Sequence, residues 1–255
     1  MRSNYFLDIL LALTQKEIKA RYKNAVLGFL WIFINPLIQM LVMGFVFSLI
    51  FKFGIKNYYL FLFTGLLPWN FFSLAWQKAT PRIVFDRSLI QKSKFPREVI
   101  PLSMVFSHFF HFAISWLMLI IFLVITHQWQ FFSLSAISYQ LSAIILLFVF
   151  TCGLSLITSS LNVFYRDINF IIQALILIWF YVTPIVYPLQ NIPQKYLPIF
   201  YLNPLSGIFT LLQKPFLDQQ FPLSILIAQI GLIGLITIIG IYIFRKQSRY
   251  FSDWL

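Results

Sequence analysis

The chain has 255 residues, of which 60% are hydrophobic and only 10% are charged. A soluble domain of this length could not cover so much apolar surface with so few charged residues, so that class is excluded. The 19 Lys and Arg outnumber the 7 Asp and Glu, but they lie between apolar runs, which favours anionic lipid headgroups over nucleic acid as their partner. The fold class predicted is an all-α integral membrane protein.

The N-terminal residues 1–23 are predicted to form an amphipathic helix. Its apolar residues recur at helical spacing, while the polar and basic residues fall on the opposite side. The apolar positions are Phe6, Ile9, Leu10 and Leu13. Such a helix is expected to lie in the cytoplasmic interface of the membrane.

Six transmembrane helices are predicted from the apolar runs. The hydrocarbon core of a bilayer requires roughly 20 apolar residues in a helix, and six stretches without a charged residue in their middle meet this length. They are residues 25–51, 58–76, 99–125, 134–164, 168–187 and 222–244. The fourth stretch is long enough to tilt, or to bend near Gly153.

The distribution of basic residues predicts that both termini are cytoplasmic. Fifteen Lys and Arg fall on the side that carries the termini, and four fall on the other side. The four are Lys52, Lys56, Lys195 and Lys214. Because cytoplasmic loops carry the excess of positive charge, the basic side faces inward.

Two segments outside these spans are predicted to have structure of their own. Residues 188–221 contain several prolines, yet 199–212 are apolar enough to enter the membrane from the outer face as a re-entrant element. Residues 78–97 form a cytoplasmic loop in which Pro81 begins a short basic helix and Phe95-Pro96 ends it. Its apolar ridge consists of Ile83, Val84, Leu89 and Ile90. Such a ridge can seat in a groove of a partner protein; a solvated headgroup-binding loop is the alternative.

The sequence lacks the residues of several common chemistries. No Gly is followed by Lys, so the phosphate-cradling P-loop of an ATPase is absent. The predicted spans contain no carboxylate of the kind that ion-coupled carriers use. His108 and His111 share one face of the third span, where interhelical hydrogen bonding is favoured over a proton relay. The chain is therefore predicted to be a conduit that takes its energy from another protein.

Five motifs in order resemble the permease subunits of bacterial polysaccharide-exporting ABC transporters, which export O-antigen, capsule and teichoic acid. The motifs are Arg21-Tyr22-Lys23 with Leu27-Gly28, Trp31 and Pro36; Leu89-Ile90, Lys92, Phe95-Pro96, Glu98 and Pro101; Leu161-Asn162-Val163 with Tyr165-Arg166-Asp167; Thr183-Pro184-Ile185 with Tyr187-Pro188; and Asn203-Pro204. Thr183 stands where the family often has Ser, which leaves the turn intact. The resemblance covers essentially the whole chain.

The resemblance implies a half-transporter in the bacterial cytoplasmic (inner) membrane. Two copies of the chain would form a homodimer, and two copies of a separate ABC ATPase would bind ATP and Mg²⁺, with no cofactor on this chain. The expected substrate is a polysaccharide linked to a polyprenyl diphosphate, as in lipopolysaccharide O-antigen export.

The same resemblance and the chemistry of the side chains suggest four groups of functional residues. For coupling to the ATPase they are Ile83, Val84, Asp86, Arg87, Leu89, Ile90, Lys92, Phe95, Arg166 and Asp167, the last two forming either a second contact or a local salt bridge. Aromatic candidates for the glycan pathway are Trp31, Trp69, Trp116, Trp179, Tyr181 and Tyr187. Lys19, Arg21 and Lys23 are placed to hold the lipid diphosphate, with ordinary positive-inside anchoring of the chain as the alternative. Pro184, Pro188, Asn203 and Pro204 belong to a proposed outer gate.

Two other functions stay open at this point. The same architecture could export another lipid or a drug. A membrane-embedded glycan-modifying enzyme would need acidic or histidine residues on the outer loops, where Asp218 is the only acidic residue.

Overall fold

The computed structural model describes residues 2–22, 30–50, 55, 57–92, 95–217 and 221–255. Helix is the dominant element, because a helix satisfies its own backbone hydrogen bonds in an apolar medium. The α-helices in this part of the chain are α1 (Arg2–Tyr22), α2 (Trp31–Ile50), α3 (Tyr58–Ala79), α4 (Arg82–Phe85), α5 (Arg87–Lys92), α6 (Val99–Ile125), α7 (Leu134–Phe164), α8 (Ile168–Val182), α9 (Leu197–Leu202), α10 (Pro204–Gln213), α11 (Leu223–Gln247) and α12 (Phe251–Trp254).

The predicted fold class is confirmed. Five helices (α2, α3, α6, α7 and α11) are long and apolar enough to cross a membrane. The remaining predicted span, residues 168–187, is helical only from Ile168 to Val182, which is 15 residues. The helix ends there because Thr183 precedes a proline and takes an extended conformation with ψ 135°.

Helix α3 lies at the centre of the bundle, and α2 and α11 lie at its edge. Thirteen residues of α3 are buried, among them Phe72, which packs against Trp76, Phe150 and Trp179. Helix α2 exposes most of its apolar side chains. The N-terminal helix α1 packs along α6 with its predicted apolar face inward, where Leu10 is buried.

Helices α7 and α11 cross so closely that only glycine fits at the crossing. A Cβ at Gly240 would lie 2.5 Å from the carbonyl oxygen of Gly153, and a Cβ at Gly153 would lie 2.8 Å from Cα of Thr237. Small residues let two helix backbones approach in this way within a membrane. Helix α7 is a single helix through Gly153, so this glycine marks the contact with α11.

The segment that follows α8 runs through the interior without regular structure and is held there by side-chain donors. Asn203 Nδ2 donates to Val182 O at 3.2 Å, Gln213 Nε2 donates to Ile185 O at 2.9 Å, and the Tyr58 hydroxyl donates to Val186 O at 2.7 Å. Each bond satisfies a carbonyl oxygen that the interrupted helix leaves free.

Asn203 joins this segment to the next two helices. It lies between α9 and α10, where its Oδ1 accepts hydrogen bonds from the backbone N–H of Leu205 at 3.0 Å and from Trp179 Nε1 at 2.8 Å. The first bond caps the N-terminus of α10. All ten residues of α10 are buried, and α10 packs against α3, α7 and α11, so this short helix is an interior element, as a re-entrant segment requires.

We call the end of the molecule that carries α1, α4, α5 and α12 the basic end. A second apolar cluster lies there. Phe244 and Phe251 are fully buried there, 5.4 Å apart with perpendicular rings. Ile83 and Ile90 from the predicted cytoplasmic loop complete the cluster, together with Ile100, Leu156 and Val163. Arg245 and Glu98 pair beside it at 3.1 Å.

The crossing of α7 and α11 predicts different effects at two glycines of one helix. Gly240→Ala places a methyl group against the backbone of Gly153 and is expected to destabilise the protein by about 1–3 kcal/mol. Gly234→Ala is the control, because nothing lies within 4 Å of a Cβ at Gly234. Thermal unfolding in detergent should show a lower midpoint for the first variant only; equal midpoints would contradict the close crossing.

The bonds of Asn203 predict that its removal loosens α10. Asn203→Ala leaves Trp179 Nε1 and the N–H of Leu205 without their acceptor, at an expected cost of at least about 2 kcal/mol. Asn191→Ala is the matched control in the same segment, because Asn191 is exposed. Proteolysis and thermal unfolding of the purified variants should distinguish the two. An Asn203→Ala variant as stable as the control would contradict a stabilising role for the Asn203 hydrogen bonds.

Candidate coupling surface and substrate cleft

The predicted cytoplasmic helix is two short helices. Pro81 is the N-cap residue of α4, as its sequence position suggested, but the helix ends at Phe85 with Asp86 as its C-cap residue, and α5 begins at Arg87. The Asp86 carboxylate accepts from Arg82 Nε at 2.6 Å, so it is engaged within the loop. Lys94, at the predicted end of this helix, lies outside the described residues.

The direction of the predicted apolar ridge is corrected by the structure. Ile83 and Ile90 are buried in the chain's own cluster at the basic end and do not face outward. Val84 and Leu89 are half-buried, as is Phe95. The reason is physical: a short apolar face gains most by packing on its own protein, and the periodicity of a sequence gives the face but not its direction.

The outward side of these helices carries one large apolar residue among basic ones. Phe85 is 72% exposed, and Arg87 and Lys92 are exposed as well. We call Phe85, Arg87, Leu89 and Lys92 the coupling face. The sequence does not single out Phe85, because Phe85 is not part of the predicted apolar ridge of isoleucine, valine and leucine.

Helix α1 connects the coupling helices to the interior. Glu17 forms an ion pair with Arg82 of α4, and both side chains are largely buried. One turn further along α1, Arg21 Nη2 donates to His108 Nε2 of α6 at 2.7 Å. Residues four apart lie on the same face of a helix, so one face of α1 contacts both the loop and α6.

A cleft of about 290 Å³ opens beside this contact. Helices α1, α2, α3 and α6 supply its walls, which include Arg21 and Trp31 from the sequence prediction together with His108, His111, Asn35 and Asn70. Two polar contacts fix α2 over the cleft. Asn70 Nδ2 donates to Gln39 Oε1 at 2.8 Å, and the Ser115 hydroxyl donates to Ile32 O at 3.4 Å.

Only one of the three basic residues predicted to bind the lipid diphosphate is found to line the cleft in the described part of the chain. Arg21 lines the cleft, Lys19 is exposed on α1 and is not among its lining residues, and Lys23 lies outside the described residues. The two histidines were predicted to make interhelical hydrogen bonds, and His108 does so with Arg21. Both histidines line the cleft, and the sequence indicates this shared position because His108 and His111 are three residues apart and so lie on one helix face.

The six aromatic candidates for a glycan pathway are divided between interior and surface. Trp69 and Trp116 are buried, and Trp179 is held by its hydrogen bond to Asn203. Tyr187 is half-buried, and its hydroxyl donates to Tyr181 O. Only Trp31, at 44%, and Tyr181, at 62%, are exposed among these six.

The remaining predicted residues lie at opposite ends of α8. Arg166 and Asp167 are exposed at the turn between α7 and α8, and no ion pair joins them, so the local salt bridge proposed from sequence is not formed. Their exposure leaves the contact with a partner open. Pro184, Pro188 and Pro204 are buried in the outer segment around Asn203.

The comparisons with known proteins agree with this architecture. The profile of a family described as "ABC-2 type transporter" matches residues 9–217. The chain is 35% identical to an O-antigen export system permease protein RfbA of Klebsiella pneumoniae over 252 residues, covering 98% of this chain and 96% of the relative. It is 33% identical to a protein of the same name from Myxococcus xanthus, covering 84% and 82%.

A more distant relative carries a different cargo by its name. The chain is 21% identical to the polysialic acid transport protein KpsM of Escherichia coli, with 93% of each chain covered. The family profile covers well over half of the chain, and the relatives match along nearly their whole length. The chain therefore belongs to the ABC-2 type transporter family and is a multi-pass membrane component of a transport system rather than an enzyme.

Proposed function

We propose that this chain is the permease subunit that exports a polyprenyl-diphosphate-linked polysaccharide across the cytoplasmic membrane. The observation that carries the proposal is the match, along nearly the whole of both chains, to permeases named for O-antigen export. A permease for another lipid or a drug would share the fold but would not share this similarity with polysaccharide exporters.

The energy comes from a separate ATPase that binds ATP and Mg²⁺. This chain has no P-loop, and its basic end carries the coupling face with the exposed ring of Phe85. Fifteen of the 19 basic residues belong to that end by the sequence prediction, which supports a cytoplasmic position for it and for both termini. The ATPase seats on this face.

The diphosphate of the substrate binds at the cleft beside α1. Arg21 offers a planar, permanently charged donor group suited to phosphate oxygens, and Asn35 and Asn70 add uncharged polar groups. Trp31 provides an exposed aromatic ring on the same wall, on which the apolar face of a sugar can pack.

The functional unit is a homodimer. Helix α8 exposes a long apolar face, and a chain with so few spans is too small to enclose a channel for a polymer. A symmetric pair supplies the missing wall. The buried outer segment around Asn203 then forms the external gate of each half.

Reconstitution tests the whole proposal. The chain is co-purified with the ATPase encoded beside it, placed in proteoliposomes, and assayed for ATP hydrolysis with the lipid-linked glycan of the same bacterium. We expect the glycan lipid to stimulate hydrolysis and to become accessible on the far side. Stimulation by phospholipid or a drug, with none by the glycan lipid, would overturn the proposed cargo.

The coupling face predicts a loss of assembly when Phe85 becomes charged. Phe85→Asp removes an exposed aromatic anchor, and we expect the ATPase to bind about 30-fold more weakly, the effect of a binding hot spot of about 2 kcal/mol. Tyr250→Asp is the control, because Tyr250 is an exposed aromatic residue at the same basic end. Affinity is measured by titrating the ATPase in nanodiscs. Equal loss in both variants would remove Phe85 from the interface.

The ion pair between α1 and α4 predicts a rescue by charge exchange. Glu17→Arg and Arg82→Glu should each uncouple substrate stimulation from ATP hydrolysis, because each leaves a partly buried charge facing a like charge. The double variant restores opposite charges between positions 17 and 82 and should recover part of the stimulation; recovery is incomplete because Asp86, the second partner of Arg82, then faces a like charge. If the double variant is as defective as the sum of the single ones, the pair does not link the two helices.

A further inference from the structure

A second cleft lies directly beside the first and has the opposite chemistry. It has a volume of about 590 Å³ and lies between α2, α3 and α6. Its walls are mostly apolar, with side chains that include Met40, Phe63, Met118 and Phe122, and the polar residues among them include Asn57, Ser115 and Gln128. Methionine and aromatic side chains of this kind adapt to irregular hydrocarbon shapes.

The two clefts are adjacent. Ile32, Pro36 and Ser115 line both of them, and the hydrogen bond from the Ser115 hydroxyl to Ile32 O crosses from α6 to α2 where the clefts meet. The far end of the apolar cleft is marked by a hydrogen bond from Asn57 Nδ2 to Gln128 Oε1 at 3.1 Å, and both residues belong to its lining. The combined groove therefore has a charged end and an apolar length.

The dimensions and openings of the apolar part suit a hydrocarbon chain. The ten residues of α2 from Ile32 to Leu41 follow the groove, a rise of about 14 Å, which is close to half of a bilayer core of about 30 Å. Its rim residues Leu37, Leu41, Met118 and Phe122 are all at least 41% exposed. A chain can thus enter from the side, out of the surrounding lipid, without threading through the protein.

The charge fixes the direction of the occupant. Among the described residues that line the two clefts, Arg21 is the only charged one. An arginine at one end of an apolar groove complements a molecule with a phosphate at one end and a hydrocarbon chain behind it. The hydrogen bond to His108 holds the Arg21 side chain at that end.

We propose that this groove, within a single subunit, binds the prenyl chain of the exported glycan lipid while its diphosphate lies beside Arg21. The proposal rests on the proposed function, because that function supplies the diphosphate head from which the chain must leave. The groove between α2, α3 and α6 is then the waiting site of the lipid end of the substrate, and the sugar portion extends from the polar cleft. An ordinary membrane phospholipid is the competing occupant.

Photo-crosslinking identifies the occupant. A photoreactive amino acid replaces Phe122 in the groove or, as a control, Leu235, which is 54% exposed on α11. The complex with its ATPase is placed in nanodiscs of phosphatidylethanolamine and phosphatidylglycerol containing a few per cent undecaprenyl diphosphate. We expect prenyl adducts to be enriched at position 122 over position 235. Phospholipid adducts in the proportions of the nanodisc at both positions would overturn the proposal.

A groove-filling pair tests the consequence for transport. Met40→Trp places a larger side chain in the groove and should raise the concentration of glycan lipid needed for half-maximal stimulation of ATP hydrolysis about tenfold. Val42→Trp is the matched control, because Val42 is exposed on the same helix and does not line the groove. Unchanged stimulation in Met40→Trp, with normal thermal stability, would also overturn the proposal.

These results distinguish a failure of the groove proposal from a failure of the proposed function. If the wild-type complex exports the glycan lipid but shows neither crosslink enrichment nor an effect of Met40→Trp, the groove proposal fails and the proposed function stands. If the glycan lipid does not stimulate the wild-type complex at all, the proposed function fails, whatever the crosslinks at position 122 show.

Discussion

An interrupted backbone in an apolar interior must have its carbonyl groups hydrogen-bonded, and the half of this molecule that holds α9 and α10 is organised around that requirement. Helix α8 ends at Val182, and the next carbonyl groups would be costly to bury alone. Asn203, Gln213 and Tyr58 each bring a side-chain donor to this stretch. Tyr58 belongs to α3, Gln213 belongs to α10, and Asn203 is the N-cap residue of α10, so the irregular segment is joined to α3 and α10, and α10 can be buried as a short helix.

At the basic end of the molecule, charged side chains are held by specific partners on neighbouring elements. Arg82 joins Glu17 of α1 and Asp86 of its own loop, and Arg21 on the same face of α1 reaches His108. A rigid helix with one contact at the loop and another at the cleft transmits a displacement of the loop over about 6 Å, the rise of four residues. The proposed coupling face and the cleft at Arg21 are thus neighbours rather than distant sites.

Much of the fold follows from the sequence alone. Apolar length gives α2, α3, α6, α7 and α11 directly, and the spacing of Phe6, Ile9, Leu10 and Leu13 gives the face of α1 that packs inward. Helix α8 is short because Thr183, which precedes a proline, takes an extended conformation. The sequence shows this proline, but the hydrophobic run continues past it and predicts a longer helix. The burial of Ile83 and Ile90 depends on Phe244 and Phe251, more than 150 residues further along the chain, and no local pattern contains that information.

The candidate site divides in the same way. Arg21 and Trp31 could be proposed from residue type and position, and both line the cleft. The part played by Asn35 and Asn70 arises from the packing of α2 and α3 around the cleft, so it has no signature in a single segment. Most of the aromatic candidates proved to be interior residues, because in a chain with 20% aromatic residues residue type alone does not separate packing from binding.

The glycine crossing of α7 and α11 sets a mechanical limit on the transport cycle. Two backbones in direct contact at Gly153 and Gly240 have no side-chain layer between them that could deform, so they can pivot about that point but cannot slide without separating. Helix α2, by contrast, is fastened to its neighbours by the side-chain bonds at Gln39 and Ser115 and borders two clefts. The α7–α11 pair is therefore a rigid contact within the chain, whereas α2 is held beside the two clefts by side-chain bonds, whose geometry can change without separating two backbones.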